Sequence, residues 1–132
     1  EYLTTLGKHA DEVVLLGETP FFTYDPVDCL ADDDISSCDP PTGIVVDADY
    51  AALEQRAAQA ADARLLSIND ILCPGDTCPV VVDDVVVFRD NHHITATYMD
   101  SLAEPIGNLL EGKPAYPTPV PTLAPASAEP GA

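Results

Sequence analysis

Apolar residues along this chain fall into short runs separated by acidic and proline-bearing stretches, and the spacing within each run predicts an element. Glu12-Val-Val-Leu-Leu-Gly17 is a β-branched, apolar run stopped by glycine, the pattern of a short buried strand. Tyr2 to His9 before it reads as the end of a helix, and Glu18-Thr-Pro20 after it as a loop at the strand's C-terminal end. Phe21 to Gly43 holds Pro26, Pro40, Pro41 and the run Asp32-Asp33-Asp34, and is expected to be irregular. Asp47 to Arg64 is the clearest helical segment. Asp47 or Asp49 offers an N-cap oxygen, and the body AALEQRAAQAADA is rich in good helix formers. Leu53, Ala57, Ala60 and Ala61 fall on one face of it, predicted to pack on a sheet. Arg64-Leu-Leu-Ser-Ile68 reads as a second buried strand, ending at Asn69-Asp70. Strand, helical connection and strand make a βαβ unit, which requires parallel pairing and a right-handed crossover.

Further on, Val80 to Val82 and Val85 to Phe88 flank the polar pair Asp83-Asp84, as in a small β-hairpin. Thr95 is placed to cap a final helix whose apolar positions, Tyr98, Leu102, Ile106, Leu109 and Leu110, recur three or four apart. Pro105 inside that segment predicts a kink or break near Ala103–Glu104. The fold class is therefore α/β. The stretch KPAYPTPVPTLAPASAEPGA, residues 113–132, contains six of the thirteen prolines and too few apolar anchors to offset its ordering entropy. It is expected to be a disordered, partly polyproline tail, which leaves residues 1–112 as one small domain.

Charge narrows the partners. Five Lys and Arg stand against 23 Asp and Glu, a formal net charge of -18, which argues against nucleic acid or an anionic membrane surface. No apolar run approaches the ~20 residues of a membrane span. Asp28, Asp32, Asp33, Asp34 and Asp39 could offer oxygens to calcium, but they lack the spacing and glycine of an EF-hand loop, and a solvated acidic surface is the simpler account. The four cysteines allow three pairings. Cys29 with Cys38 and Cys73 with Cys78 is the simplest, because each pair closes a Pro- and Asp-rich loop, contributing up to roughly 2–3 kcal/mol. A zinc site is disfavoured, since neither pair has CxxC spacing. Disulfides in turn imply an oxidising, extracytoplasmic compartment. Residues 1–20 have no signal-peptide pattern and the chain opens on Glu1 in mid-element, so it is expected to be a piece of a longer polypeptide.

The chemistry concentrates in Phe88-Arg-Asp-Asn-His-His-Ile-Thr95. An Asp and a His at i and i+3 in a turn can bring a carboxylate to one imidazole nitrogen. That fixes the tautomer and leaves the other nitrogen to take a proton from a serine. Taken alone, the string is equally an exposed polar loop. Its context is more specific: Asp70-Ile-Leu-Cys73, Cys78-Pro79, the valine hairpin, Asp90-Asn-His-His93 and Ile94-Thr95. This arrangement resembles the C-terminal part of the SGNH domain fused to membrane acyltransferase-3 proteins, envelope enzymes that O-acylate cell-wall or surface polysaccharides. The family pattern there is D-x-x-C closed by C-P, a hairpin, then D-x-x-H-[LI]-T and a helix. The resemblance is most specific over residues 64–111, weaker over 11–63, and absent from the tail.

The resemblance implies a partial three-layer α/β/α sandwich of flavodoxin-like type, with a parallel sheet and a small hairpin. It makes His93 the general base and Asp90 its orienting acid, while His92 stands at a variable position and Arg89 is either a partner of an acidic group or a surface residue. It also implies a serine acyl-enzyme, a cell-envelope glycan acceptor and an acyl donor delivered by a membrane acyltransferase domain, with no cofactor and no metal. The chain departs from the family in one respect. It has no Gly-Asp-Ser block; Gly75-Asp-Thr77 lies inside the short cysteine loop, and Ser36, Ser37, Ser67 and Ser101 have no suitable context. The nucleophile is expected on a missing N-terminal half of the domain, and this chain alone is expected to be inactive. Two other functions fit the same residues: a soluble SGNH esterase that passes the acyl group to water, and a non-catalytic exported binding or scaffold module.

Overall fold

A computed structural model describes residues 1–116; most of the expected tail, residues 117–132, lies outside the described residues. Helix α1 (Tyr2–Leu6) leads into strand β1 (Val14–Leu16), which pairs in parallel with β2 (Arg64–Leu66) in the register Val14 to Arg64, Leu15 to Leu65 and Leu16 to Leu66. The pairing is extended at each end, by Arg64 N–H donating to Val13 O at 2.9 Å and by Gly17 N–H donating to Leu66 O at 2.8 Å. The predicted strand, helix, strand unit is present, and the chain is α/β as expected.

Two expectations in this part need correction. The segment from Phe21 to Gly43 is not irregular: it holds α2 (Pro26–Asp32), a turn of 3-10 helix (Ile35–Cys38) and the start of α3 (Thr42–Val45). The missed signal is Asp25-Pro26. Asp25 caps α2 by accepting from Val27 N–H at 2.8 Å, and Pro26 occupies the first helical position, where its missing donor costs nothing. The second correction concerns the buried face of α4 (Ala48–Ala60). Its N-cap is Asp47, as expected, accepting from the N–H groups of Asp49 and Tyr50 at 2.9 Å. However, Leu53 is 54% exposed and Ala57 and Ala60 face solvent, while Ala58 is fully buried and Ala51, Glu54 and Ala61 are half-buried. Counting apolar residues failed because an acidic one turns inward: the Glu54 carboxylate accepts Glu18 N–H at 2.9 and 3.2 Å.

After one turn of helix, α5 (Asn69–Leu72), the Cys73–Cys78 loop leads to the hairpin of β3 (Val81–Val82) and β4 (Val85–Val86). Asp83 and Asp84 form its turn with φ of 49° and 62°. Two successive left-handed residues match the twist of a tight hairpin, and Asp tolerates them better than most side chains. The final helix is divided, as Pro105 predicts, into α6 (Ala96–Ser101) and α7 (Ala103–Leu110), with Leu102 at the break, just before the expected position. Thr95 caps α6 by accepting from Tyr98 N–H at 3.2 Å.

The core does not lie on the parallel pair. It gathers Phe22, Ile68, Leu72, Val80, Val87, Phe88, Tyr98 and Leu102 with Cys38, Cys73 and Cys78 beneath the hairpin and the turn that follows it. Phe22 and Phe88 meet at 4.6 Å between ring centroids. Strand β1, expected to be buried, is only half so, and Leu16 is 50% exposed. Arg64 ties β2 to the end of α7, donating to Leu109 O at 3.3 Å and Leu110 O at 2.9 Å, where a cation also suits the negative end of the helix.

Candidate active site

The turn that carries Asp90 is closed by the backbone on both sides. Phe88 and Ile94 form an antiparallel bridge, and Arg89 N–H donates to His93 O at 2.8 Å. Below it, Phe88 is fully buried. Thr95 fastens the exit, since its N–H donates to Val87 O at 2.8 Å and its hydroxyl to Val86 O at 2.6 Å. On the opposite flank Phe22 N–H donates to Asn91 O at 2.7 Å, joining the loop after β1 to this turn.

Asp90 organises the interior of the turn. Its Oδ1 accepts His93 N–H at 2.8 Å and His92 N–H at 3.1 Å, an Asx-type turn. The same carboxylate meets His93 Nδ1, at 2.8 Å from Oδ2 and 3.0 Å from Oδ1. The His92 backbone N–H above all, joined by the His93 N–H and ring, holds the Asp90 carboxyl well below the usual carboxylate range against the opposing effect of desolvation. An ionised carboxylate at Nδ1 places the ring proton there and leaves Nε2 as the basic nitrogen. All described hydrogen bonds of His93 use its backbone or Nδ1, and its side chain is 52% exposed. The structure thus brings Asp90 and His93 together in the geometry of an acid-oriented base.

His92 is half-buried and packed between two rings. Its ring lies 3.9 Å from that of His93 and stacks on Phe21 at 5.2 Å and 16°, while Nδ1 meets Asn91 Oδ1 at 2.7 Å. Phe21 was not identified from sequence. It stands some seventy positions before His92, and no local spacing connects them. Arg89 approaches Asp90 Oδ2 at 3.7 Å with a largely exposed side chain, a loose pair that is worth little.

None of the described hydrogen bonds of the serines reaches His93. Ser37 and Ser101 donate to the carbonyls of Asp34 and Tyr98, and Ser67 accepts Asn69 N–H. Gly75-Asp76-Thr77 is tied to Thr42 and Pro41 at the start of α3: Thr42 donates to Gly75 O through its hydroxyl and to Asp76 O through its N–H. Cys29 is bonded to Cys38, which links α2 to the 3-10 turn, and Cys73 to Cys78.

Among the described residues, the carboxylates of Asp28, Asp32, Asp33, Asp34 and Asp39 do not converge on a common point, and Asp39 instead accepts Val80 N–H at 2.9 Å. One group of three potential metal ligands is within reach of a shared ion, namely Asp90, His92 and His93. Its members are already engaged with one another and with Asn91.

The family model described as SGNH domain (fused to AT3 domains) matches residues 1–107, and the chain belongs to that family. The α/β architecture, with a parallel pair and a small hairpin, agrees with it. SGNH domains of this family are described as fused to AT3 domains, which supports an SGNH acyl-transfer module. No curated protein and no solved structure matches the chain. No helix among the described residues is long and apolar enough to cross a membrane.

Proposed function

We propose that Asp90 and His93 are the acid–base half of a serine acyl-transfer centre. It moves an acyl group, an acetyl in the simplest case, onto a hydroxyl of a cell-envelope glycan. The serine comes from a part of the SGNH domain outside this chain, so the chain alone is inactive. His93 Nε2 takes the serine proton as the oxygen attacks the donor's acyl carbonyl. It returns that proton to the leaving group as the tetrahedral intermediate collapses to an acyl-enzyme. The glycan hydroxyl then attacks the acyl-enzyme, its proton passing to Nε2 and back to the serine oxygen. Asp90 stabilises the imidazolium that forms in each half-reaction and keeps the tautomer fixed. The observation that carries this reading is the double contact of the Asp90 carboxylate with His93 Nδ1. Family membership supports the acyl chemistry, and the two disulfides favour an oxidising, extracytoplasmic setting.

The test is serine-hydrolase activity of the full-length extracytoplasmic domain, with a chromogenic acetyl ester and a fluorophosphonate label as readouts. His93→Ala is expected to lose turnover by at least ~100-fold, with His92→Ala much less affected. Full activity in His93→Ala, or a wild type that neither turns over nor labels, would put the non-catalytic binding module in its place. Transfer of the acetyl group to an added oligosaccharide, against release to water, separates the transferase from the esterase.

A further inference from the structure

At the C-terminal ends of β1 and β2 the chain opens a cleft of ≈ 200 Å³, lined by Glu18, Thr19 and Phe21 after β1, Asn69 after β2, and Asp47, Tyr50 and Glu54 on the first turns of α4 and its cap. Ligands of open parallel sheets collect at this end, where loops diverge from the strand tips. The volume is below the usual range for an enclosed ligand, enough for one ring with the rest of the molecule in solvent.

Three features define what the cleft accepts. Its lining has no Lys, Arg or His and includes the acidic residues Glu18, Asp47 and Glu54, so an anionic ligand is repelled and hydrogen-bond donors are favoured. Asn69 ties the two strand ends together beneath it, its Nδ2 donating to Glu18 O at 3.0 Å, so the wall is held in place. Two aromatic rings, Phe21 at 52% exposure and Tyr50 at 44%, give it flat apolar faces. A neutral pyranose combines these needs, with C–H groups on one face and hydroxyl donors at its edge.

The cleft is also connected to the base. The ring of Phe21, which lines it, stacks on His92, and His92 lies against His93, in centroid steps of 5.2 and 3.9 Å. Thr19, on the same wall, donates through its hydroxyl to His92 O at 3.5 Å. We propose that this cleft is an acceptor subsite for one sugar ring of a neutral glycan, held on Phe21 and Tyr50 so that the neighbouring ring's hydroxyl reaches His93. This rests on the acyl-transfer reading for its role, but not for its binding.

The test is an amide NMR titration of the whole chain with a neutral β-1,4-linked N-acetylglucosamine tetrasaccharide, with tetragalacturonate and tetralysine as the anionic and cationic comparisons. The neutral sugar is expected to shift the amides of Glu18, Thr19, Phe21 and the first turn of α4. Phe21→Ala and Tyr50→Ala should each weaken binding about 10-fold, and tetragalacturonate should bind at least about 10-fold more weakly than the neutral sugar. Shifts confined to other surfaces, equal binding of the uronate, preference for tetralysine, or indifference to Phe21 and Tyr50 would each overturn the proposal. Melting curves separate loss of the site from loss of fold, and if either variant unfolds the wild-type shift map decides alone. Sugar binding in the cleft together with full turnover in His93→Ala would remove the catalytic reading and leave the subsite; loss of turnover without cleft binding would do the reverse.

Discussion

The two halves of this molecule are built to different standards of burial. From Val80 to Leu102 most apolar side chains are at least half-buried: Val80, Val87 and Phe88 are fully buried and Leu102 is 2% exposed, with Phe22 in the same cluster. On the parallel strands and α4 the burial is uneven: Leu66 is buried, but Leu53 at 54% and Leu16 at 50% stand in solvent. A parallel sheet normally has both faces covered, so the second region is the unusual one. The difference teaches where the chain invests its rigidity. The Asp90–His93 pair rests on the enclosed half, next to the fully buried Phe88, and the open half presents surface.

That contrast makes unequal predictions for equal truncations, and the largest is at Phe88. Phe88→Ala removes a fully buried ring that touches Phe22 at 4.6 Å, and should cost about 3–5 kcal/mol in a urea or guanidinium titration. The hairpin and the Asp90 turn should loosen with it. A cost near 1 kcal/mol would mean that the enclosed half is softer than its burial indicates.

Asp90→Asn is expected to have the next largest effect, on activity in the full-length domain rather than on packing. The amide can still accept the two backbone N–H groups, but it cannot stabilise an imidazolium, and turnover should fall by at least ~100-fold. The same variant has a signature in stability against pH. Because backbone N–H groups and the His93 ring depress the native pKa of Asp90, its contribution is fully present above the ordinary carboxylate range, near about 4, and is lost as pH falls towards the native value. Wild type should therefore exceed Asp90→Asn in stability at neutral pH, with the gap closing as pH is lowered. A constant gap would show that the carboxylate charge is not what holds the turn.

Thr95→Val should cost about 1 kcal/mol, near the typical value for a lost N-cap. The valine keeps the shape but loses the acceptor for Tyr98 N–H and the donor to Val86 O, so α6 should fray while the Phe22–Phe88 contact persists. Amide exchange of the first turn of α6 would report this directly.

How much of this was legible beforehand follows the same division. The hairpin, its Asp83-Asp84 turn, the Thr95 cap and the break before Pro105 are local matters of turn chemistry and capping, and they stand in the structure where the residues indicate. The parallel pairing followed from the βαβ pattern. The proximity of Asp90 to His93 is an i, i+3 relation and equally local. What the pattern did not reveal depends on contacts across the fold. Glu54 turns the face of α4 because an amide 36 positions earlier needs an acceptor, and Phe21 joins His92 through long-range contacts of its loop, Phe22 with Asn91 and Thr19 with His92. Helix α2 is a different kind of omission, since Asp25-Pro26 is a local start signal that the prolines and acidic run around it obscured.

The smallest expected effect tests the open half, and there a near-zero result carries the meaning. Leu53 is on the face of α4 that sequence periodicity assigns to the core, yet it is 54% exposed, so Leu53→Ser should change stability by no more than about 0.5 kcal/mol. Ala58→Leu, one turn further along the inward side, has no such freedom: Ala58 is fully buried, and the added methylenes should cost about 1–3 kcal/mol. Finding the two reversed would restore the periodicity-based face and remove Glu54 from the end of β1. A cost of about 2 kcal/mol for Leu53→Ser has another explanation if it disappears on dilution. Leu53 would then be covered by a second copy of the chain, and the exposed apolar surface of this half would be an interface already in use.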